Sequence, residues 1–443
     1  MIASLRAAFV RPGILRDSAA VGLGLAIVKA AGALKIVFLA RAFGASDALD
    51  AYLVAFLLPS FATEVVVGSF SNALIPAMIA LRERDGRLAM ERVRANLLAA
   101  VVVALSIVAA LLVATSPVVL RILGADFGPA KLALTQRLFA ALLPILPLSG
   151  FSTVWRAALN SEERFTAAAL APVATPVLAI ALLWIGGTRV TVWMLAIAHL
   201  FGLVLELVWL AVAMRRNGLG LMPRWTGWDA DMRAVILQHL PLVAVAVLGN
   251  GGILIDQSMA ATLAAGSVST LNYGTKLATV MAGVVGGALS TAALPRFSKM
   301  IAAADWNGLR RTLAQYSKLT LVAVVPGTAI LVALSGVIVS LVFQRGALTT
   351  DAADLVDSVQ RWSLLQLPPA IFAAVLLRLI SSLHANSLLM RVAAAGFVSN
   401  IALDLLLKQY MGLSGIALSS AIVQLATVGY LLVLVRQRIP KSS

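Results

Sequence analysis

The sequence predicts an all-α, polytopic membrane protein with about twelve transmembrane helices in two pseudo-symmetric six-helix lobes. Three observations predict it. The 443 residues are 61% apolar and 12% charged, about half the charged share of a soluble domain, and the mean hydropathy is +0.97. Apolar runs repeatedly exceed the ~18 residues that a bilayer-spanning helix needs. The chain also resembles itself at an offset of about two hundred and twenty residues, which corresponds to six spans.

The spans follow in order. Span 1 (18–40) reads AAVGLGLAIVKAAGALKIVFLA, apolar except for Lys29 and Lys35. Spans 2 (49–80) and 3 (95–116) flank a charged stretch from Arg82 to Arg94. Span 4 (132–157) carries Pro144 and Pro147, which read as a kink or hinge because proline removes a helix hydrogen bond. Spans 5 (165–186) and 6 (190–214) are separated by a short turn ending at Arg189. Span 7 (234–257) begins near His239 and Pro241 and holds Asp256 near its other end. Span 8 (267–296) carries Lys276, and span 9 (316–343) stops before Arg345. Span 10 (359–383) repeats the proline break with Pro368 and Pro369. Span 11 (388–407) carries Asn400 and Asp404, and span 12 (412–435) carries Ser419 and Ser420.

The basic residues orient these spans. With the N-terminus in the cytoplasm, 24 of the 35 Lys and Arg residues fall on cytoplasmic stretches and eight on outer ones, among them Arg41, Lys131, Arg345 and Lys408. The remaining three, Lys29, Lys35 and Lys276, lie inside spans. By the positive-inside rule both termini are cytoplasmic. The bias also accounts for the net charge of +16 without nucleic acid, and a basic face of this kind favours anionic lipid. Residues 1–17 hold Arg6, Arg11 and Arg16 but no short apolar core with a cleavage site, so span 1 is expected to remain as an anchor. Cysteine is absent, which excludes disulfides and thiol chemistry. His199, His239 and His384 have no metal-ligand spacing, and no phosphate-binding loop or nucleophile elbow occurs. An enzyme is disfavoured, since the outer loops are too short to build a sugar-processing site.

The repeat divides the chain. GSFSNALIPAM (68–78) parallels GGALSTAALPRF (286–297), and QRLFAALLP (136–144) parallels QRWSLLQLP (360–368). An even number of spans gives both halves the same orientation, related by an axis along the membrane normal, with a substrate site expected between them. The expected parts are an N-lobe at 1–214, a cytoplasmic linker at 215–233 and a C-lobe at 234–443. Two such bundles predict alternating access; the alternative is an inert duplicated scaffold.

Buried charge is the main functional signal. A lysine at mid-bilayer costs about 2.5–3.5 kcal/mol on insertion scales. Lys35 lies about 9 Å beyond Lys29 and ~120° around the helix, so the two flank one broad face. Unpaired, these two and Lys276 would stabilise a phosphate or pyrophosphate group as point charges. The structural alternative pairs each lysine with a carboxylate such as Glu64. A second constellation is acidic: Asp256, the i,i+4 pair Asn400 and Asp404, and Ser419/Ser420 offer hard oxygen ligands for Na+. Here the alternative is an Asp404–Lys408 pair at the helix end.

At these residues the chain resembles the MurJ/MviN family of lipid II flippases, within the MOP superfamily of multidrug, oligosaccharidyl-lipid and polysaccharide exporters. The resemblance is carried by ARAFGASDALDAYLVAFLLPS (40–60), GSFSNALIPAM (68–78), ALNSEERFTAAALAP (158–172), AAGSVSTLNYGTKLATVMAGVVGGALSTAALPRFSKM (264–300) and LVFQRGALTTDAA (341–353). It implies a MATE-like, V-shaped bundle that moves an undecaprenyl-pyrophosphate-linked saccharide from the inner to the outer leaflet of the bacterial cytoplasmic membrane. It places the family's cavity cations on Lys29, Lys35 and Lys276, where the family mainly has arginine. It places a cavity carboxylate and hydroxyl on Asp50 and Ser269, and a sodium site on Asp256, Asn400, Asp404 and Ser420. A further family arginine falls near Thr63 and Glu64, where this chain has no cation. The sequence ends after span 12 at VRQRIPKSS, where peptidoglycan-type members continue with two more helices. These departures leave the cargo open between lipid II and an exopolysaccharide or other envelope-glycan precursor.

The expected activity is therefore transport by a flippase, acting as a monomer, with no required cofactor and with Na+ as a coupling ion. A cation-coupled multidrug antiporter of the same superfamily is the alternative, and a non-transporting membrane assembly partner is an alternative of another class.

Overall fold

The computed structural model describes residues 12–225, 227, 230–344, 346–383 and 386–439. Arg6, Arg11, Arg345, His384 and Lys441 lie outside the described residues, as do the side chains of Arg16, Pro76 and His239. Among the described residues there is no strand. The helices are α1 (Pro12–Phe43), α2 (Asp47–Leu123), α3 (Pro129–Leu142), α4 (Ile145–Ser161), α5 (Phe165–Leu170), α6 (Ala174–Gly186), α7 (Val192–Arg216) and α8 (Ala230–Ala261). They continue as α9 (Ser267–Met281), α10 (Gly287–Ala302), α11 (Trp306–Leu319), α12 (Val325–Ala333), α13 (Ser335–Val342) and α14 (Thr350–Leu364). The last three are α15 (Leu367–Ser382), α16 (Asn386–Met411) and α17 (Leu413–Arg438). Twelve stretches among the described residues are long and apolar enough to cross a membrane. Many carry exposed apolar side chains, such as Leu111, Trp184, Ile185 and Phe201. An exposed apolar helix face is the expected surface when the surrounding solvent is lipid.

Three features refine the sequence reading. Spans 2 and 3, together labelled α2, are two helices that meet at a kink at Gly86, whose φ of 82° and ψ of −179° are non-helical. Span 4 breaks between Leu142 and Ile145, at Pro144, and span 10 breaks between Leu364 and Leu367, next to Pro368 and Pro369. Each proline lacks the N–H that would continue the ladder. Span 8 passes from α9 to α10 through a π-helical turn at Ala282–Gly286, and a second such turn, Thr320–Val324, joins α11 to α12.

The fold separates into two compact units. Unit 1 takes the described residues within Met1–Phe38, Ala55–Val118 and Gln136–Val243; unit 2 takes those within Leu39–Val54, Val119–Thr135 and Ala244–Ser443. The two units are thus a different partition from the two sequence halves, because the first turns of α2 and the start of α3 pack with the later helices. In unit 1, α7 packs against α4 and α6. The stretch after α7 is fastened along α2. Arg87 Nη2 donates to Asn217 O at 2.5 Å, Gly220 N to Glu91 Oε2 at 3.2 Å, Arg224 N to Ala95 O at 3.2 Å, and Asn96 Nδ2 to Gly227 O at 3.3 Å.

In unit 2, α9 packs on α14, α10 on α15, and α17 on α14, α15 and α16. One core gathers Phe297, Tyr316, Phe372, Leu376, Leu379 and Leu431. A second gathers Val54, Ala260, Leu271, Val359 and Ile416. The loop before α14 meets the end of α1: Ala347 N donates to Arg41 O at 2.9 Å. Gly346 permits this approach, since its φ is 130° and a Cβ there would stand 2.4 Å from Arg41 O.

Candidate substrate and cation sites

Lys29 and Lys35 belong to unit 1, on a spanning stretch Gly22–Phe43. Lys29 is exposed and has no ion-pair partner among the described residues. Glu64 is also exposed and, among the described residues, pairs with neither Lys29 nor any other cation. Lys35 is half-buried. Its charge acts on His199, whose ring meets Phe56 with centroids 4.6 Å apart. Thr63, beside Glu64, donates weakly to Ser149 Oγ at 3.5 Å. Lys276 belongs to unit 2 and is half-buried, well inside the spanning stretch Ser267–Ala302.

Asp50 and Ser269 are brought together, both in unit 2 and both buried. Asp50 sits in the first turn of α2 and reaches the N-terminus of α9. Its Oδ1 accepts from Ser269 N at 2.8 Å and its Oδ2 from Gly266 N at 2.8 Å. The carboxylate thus caps a helix whose first amides have no intrahelical acceptor. Lys131 adds a charge, with Nζ 3.3 Å from Asp50 Oδ2, 2.5 Å from Asp47 Oδ1 and 3.9 Å from the centre of the Phe127 ring. Tyr273, one turn further along α9, donates to Gly44 O at 2.8 Å.

The acidic constellation also assembles within unit 2. Asp256 on α8 accepts from Asn400 Nδ2 at 3.1 Å and from Ser420 Oγ at 3.1 Å, one bond to each carboxylate oxygen. Asp404, fully buried, accepts from Ser419 Oγ and also makes a side-chain contact with Asp256. Lys408 acts on it through its charge, but its amine forms no direct ion pair with it: the amine donates to Thr262 Oγ1 at 2.8 Å and lies 3.9 Å from Met259 Sδ. Two buried oxygens have no hydrogen-bond donor, Asn400 Oδ1 and Asp404 Oδ2. Two adjacent carboxylates with spare lone pairs repel each other when both are charged, and a cation held between them would relieve that repulsion. Hard oxygen donors of this kind suit Na+ rather than a transition metal, and among the described residues no group of three or more His, Cys, Asp or Glu could hold a metal.

One comparison decides the family: the sequence model described as Lipid II flippase MurJ matches residues 39–443. The chain belongs to the MurJ family. It is 25% identical over 400 residues to a probable lipid II flippase MurJ of Rhizobium meliloti, covering 87% of this chain and 74% of that one. To the corresponding Thermotoga maritima protein it is 27% identical over 423 residues, covering 93% and 83%. Among solved structures, one described as Lipid II flippase MurJ in an inward closed conformation superposes with a TM-score of 0.80 at 19% identity, covering 94% of this chain and 87% of that one. An inward-facing multidrug resistance MATE transporter of the MOP superfamily superposes with 0.79 at 13% identity, covering 92% and 94%. At these identities the structures establish the fold. The molecule is therefore an all-α, multi-pass membrane protein of the MurJ family, with the fold those two structures share.

This MurJ-family chain also holds a polar cluster that the sequence reading passed over. Glu206, in the middle of α7, is 5% exposed and accepts from Ser152 Oγ on α4. Arg156, one turn along α4 and counted above with the cytoplasmic basic residues, places its Nε 4.0 Å from Glu206 Oε1, and that Nε is buried without a hydrogen bond. A single acid within an apolar run, GLVLELVWL, was the available signal. Lys131 was likewise visible only as an outer basic residue.

Proposed function

We propose that this protein is a flippase that carries a polyprenyl-pyrophosphate-linked saccharide from the inner to the outer leaflet of the bacterial cytoplasmic membrane by alternating access. Lipid II is the cargo that the relatives' names favour; an exopolysaccharide or other envelope-glycan precursor has the same pyrophosphate chemistry. The carrying observation is the family match across nearly the whole chain. Lys29 supports it, as a cation in a spanning helix with no carboxylate partner among the described residues. Lys29, Lys35 and Lys276 are each assigned to the pyrophosphate on charge, and each is tested separately. Both termini are cytoplasmic in this reading.

Sodium is the proposed coupling ion. The donor set fits it: Asp256, Asn400, Asp404 and Ser420 would hold the ion, which when bound supplies the positive charge that the two carboxylates lack. Asp256 meanwhile links α8 to α16 through Asn400 and to α17 through Ser420, so the set spans three helices. A ligand shifts a transporter between states only by binding them unequally, and a site shared by three helices is suited to that.

The fold likeness to a multidrug transporter favours a second reading, a cation-coupled drug antiporter. Lysines suit an organic cation poorly. The test is flipping of a fluorescent lipid-linked saccharide in liposomes. Lys29→Ala and Lys276→Ala are expected to reduce transport at least tenfold; full activity in both would remove the pyrophosphate assignment. Lipid II and an exopolysaccharide precursor offered side by side identify the cargo.

A further inference from the structure

The sequence places the start of span 9 at residue 316, yet the helix begins at Trp306. Its added turns, WNGLRRTLAQYSKL, are two-faced. Leu309 and Tyr316 enter the core beside Phe297, whose ring is 6.0 Å from that of Tyr316, and Thr312 contacts Met300. The opposite face exposes Arg311, Gln315 and Lys318 at i, i+4 and i+7, one stripe of the helix. The helix then continues through its π-helical turn with Leu319, Leu321 and Val322 exposed by 42%, 63% and 66%. On the antiparallel neighbour α10, Arg296 and Lys299 are exposed as well.

The charge on this surface is one-sided. Between residues 296 and 318 the only acid is Asp305, and its carboxylate is committed to capping α11, accepting from Gly308 N at 2.7 Å. None of Arg296, Lys299, Arg311 and Lys318 has an ion-pair partner among the described residues. Topological bias alone requires only that basic residues lie in a connecting stretch. Here they are held on ordered helix, directly above apolar side chains that face outward. That order, cation then exposed hydrocarbon, matches the passage from phosphate headgroup to acyl chain.

We infer that the exposed face of α10 and α11 binds the headgroups of anionic phospholipids, with Arg296, Lys299, Arg311 and Lys318 as the contacts. The partner is the bilayer itself, and the inference does not rest on the transport reading. The arginines offer paired N–H donors to a phosphate and the lysines add point charge.

The test is electron paramagnetic resonance of the full protein in bilayers that contain spin-labelled phosphatidylglycerol or phosphatidylcholine. The wild type is expected to restrict phosphatidylglycerol several-fold more than phosphatidylcholine, with the preference falling as salt rises. The R296Q/K299Q/R311Q/K318Q variant should lose a large part of the phosphatidylglycerol preference, whereas R311K/K318R should keep it. The pairs R296Q/K299Q and R311Q/K318Q, tested separately, should each lose part of it and provide the reading if the quadruple variant misfolds. No preference in the wild type, or an undiminished one in the glutamine variants, overturns the inference.

Discussion

Asp50 uses both carboxylate oxygens, on two backbone amides and a lysine, with 1% of its surface exposed. Asp50→Ala leaves those amides and Lys131 without their acceptor, and breaking a buried pair costs about 3–5 kcal/mol. Thermal unfolding of the purified protein should show a large drop; an unchanged midpoint would mean that the joint is not structural. Asp404 differs, because one of its oxygens has no donor. Sodium chloride is expected to raise the unfolding midpoint relative to choline chloride, with a gain of about 2.7 kcal/mol when the ion is at a hundredfold its Kd. Asp256→Asn and Asp404→Asn should abolish most of that difference. The sequence showed Asn400 and Asp404 as neighbours because four residues make one helical turn. It could not show Asp256 meeting them, since that contact lies 144 residues away along the chain. Asp50 and Ser269 are separated still further, and only the resemblance brought them together.

Hydropathy located the elements well, because an apolar run in lipid has few alternatives to a helix. It did not reveal how they join. The two helices of α2 extend into the charged stretch from either side and meet inside it, where hydrogen bonds to water would have served equally. They join at Gly86, in a conformation that side-chain-bearing residues avoid. Gly86→Ala is expected to cost about 1–3 kcal/mol through the backbone alone, since a Cβ there meets nothing within 4 Å. Equal thermal stability of the variant would show that the kink does not require glycine. The early start of α11 escaped the reading for the complementary reason: amphipathic turns dilute the apolar signal while still packing on a core.

The molecule as a whole has no thiol, so one introduced cysteine is its sole label. A membrane-impermeant maleimide added to intact cells should modify a cysteine at Lys408 but not at Arg436; the reverse pattern would invert the proposed topology. Chain order gives the Asp50 joint a meaning for biogenesis. A ribosome delivers Asp50 first, Lys131 81 residues later, and the amide of Gly266 only after 216. Until Gly266 and Ser269 are made, the carboxylate lacks its two backbone donors. Of the partners of Asp50, Lys131 is made 135 residues before Gly266, so the ion pair can form before the amide that completes the joint exists.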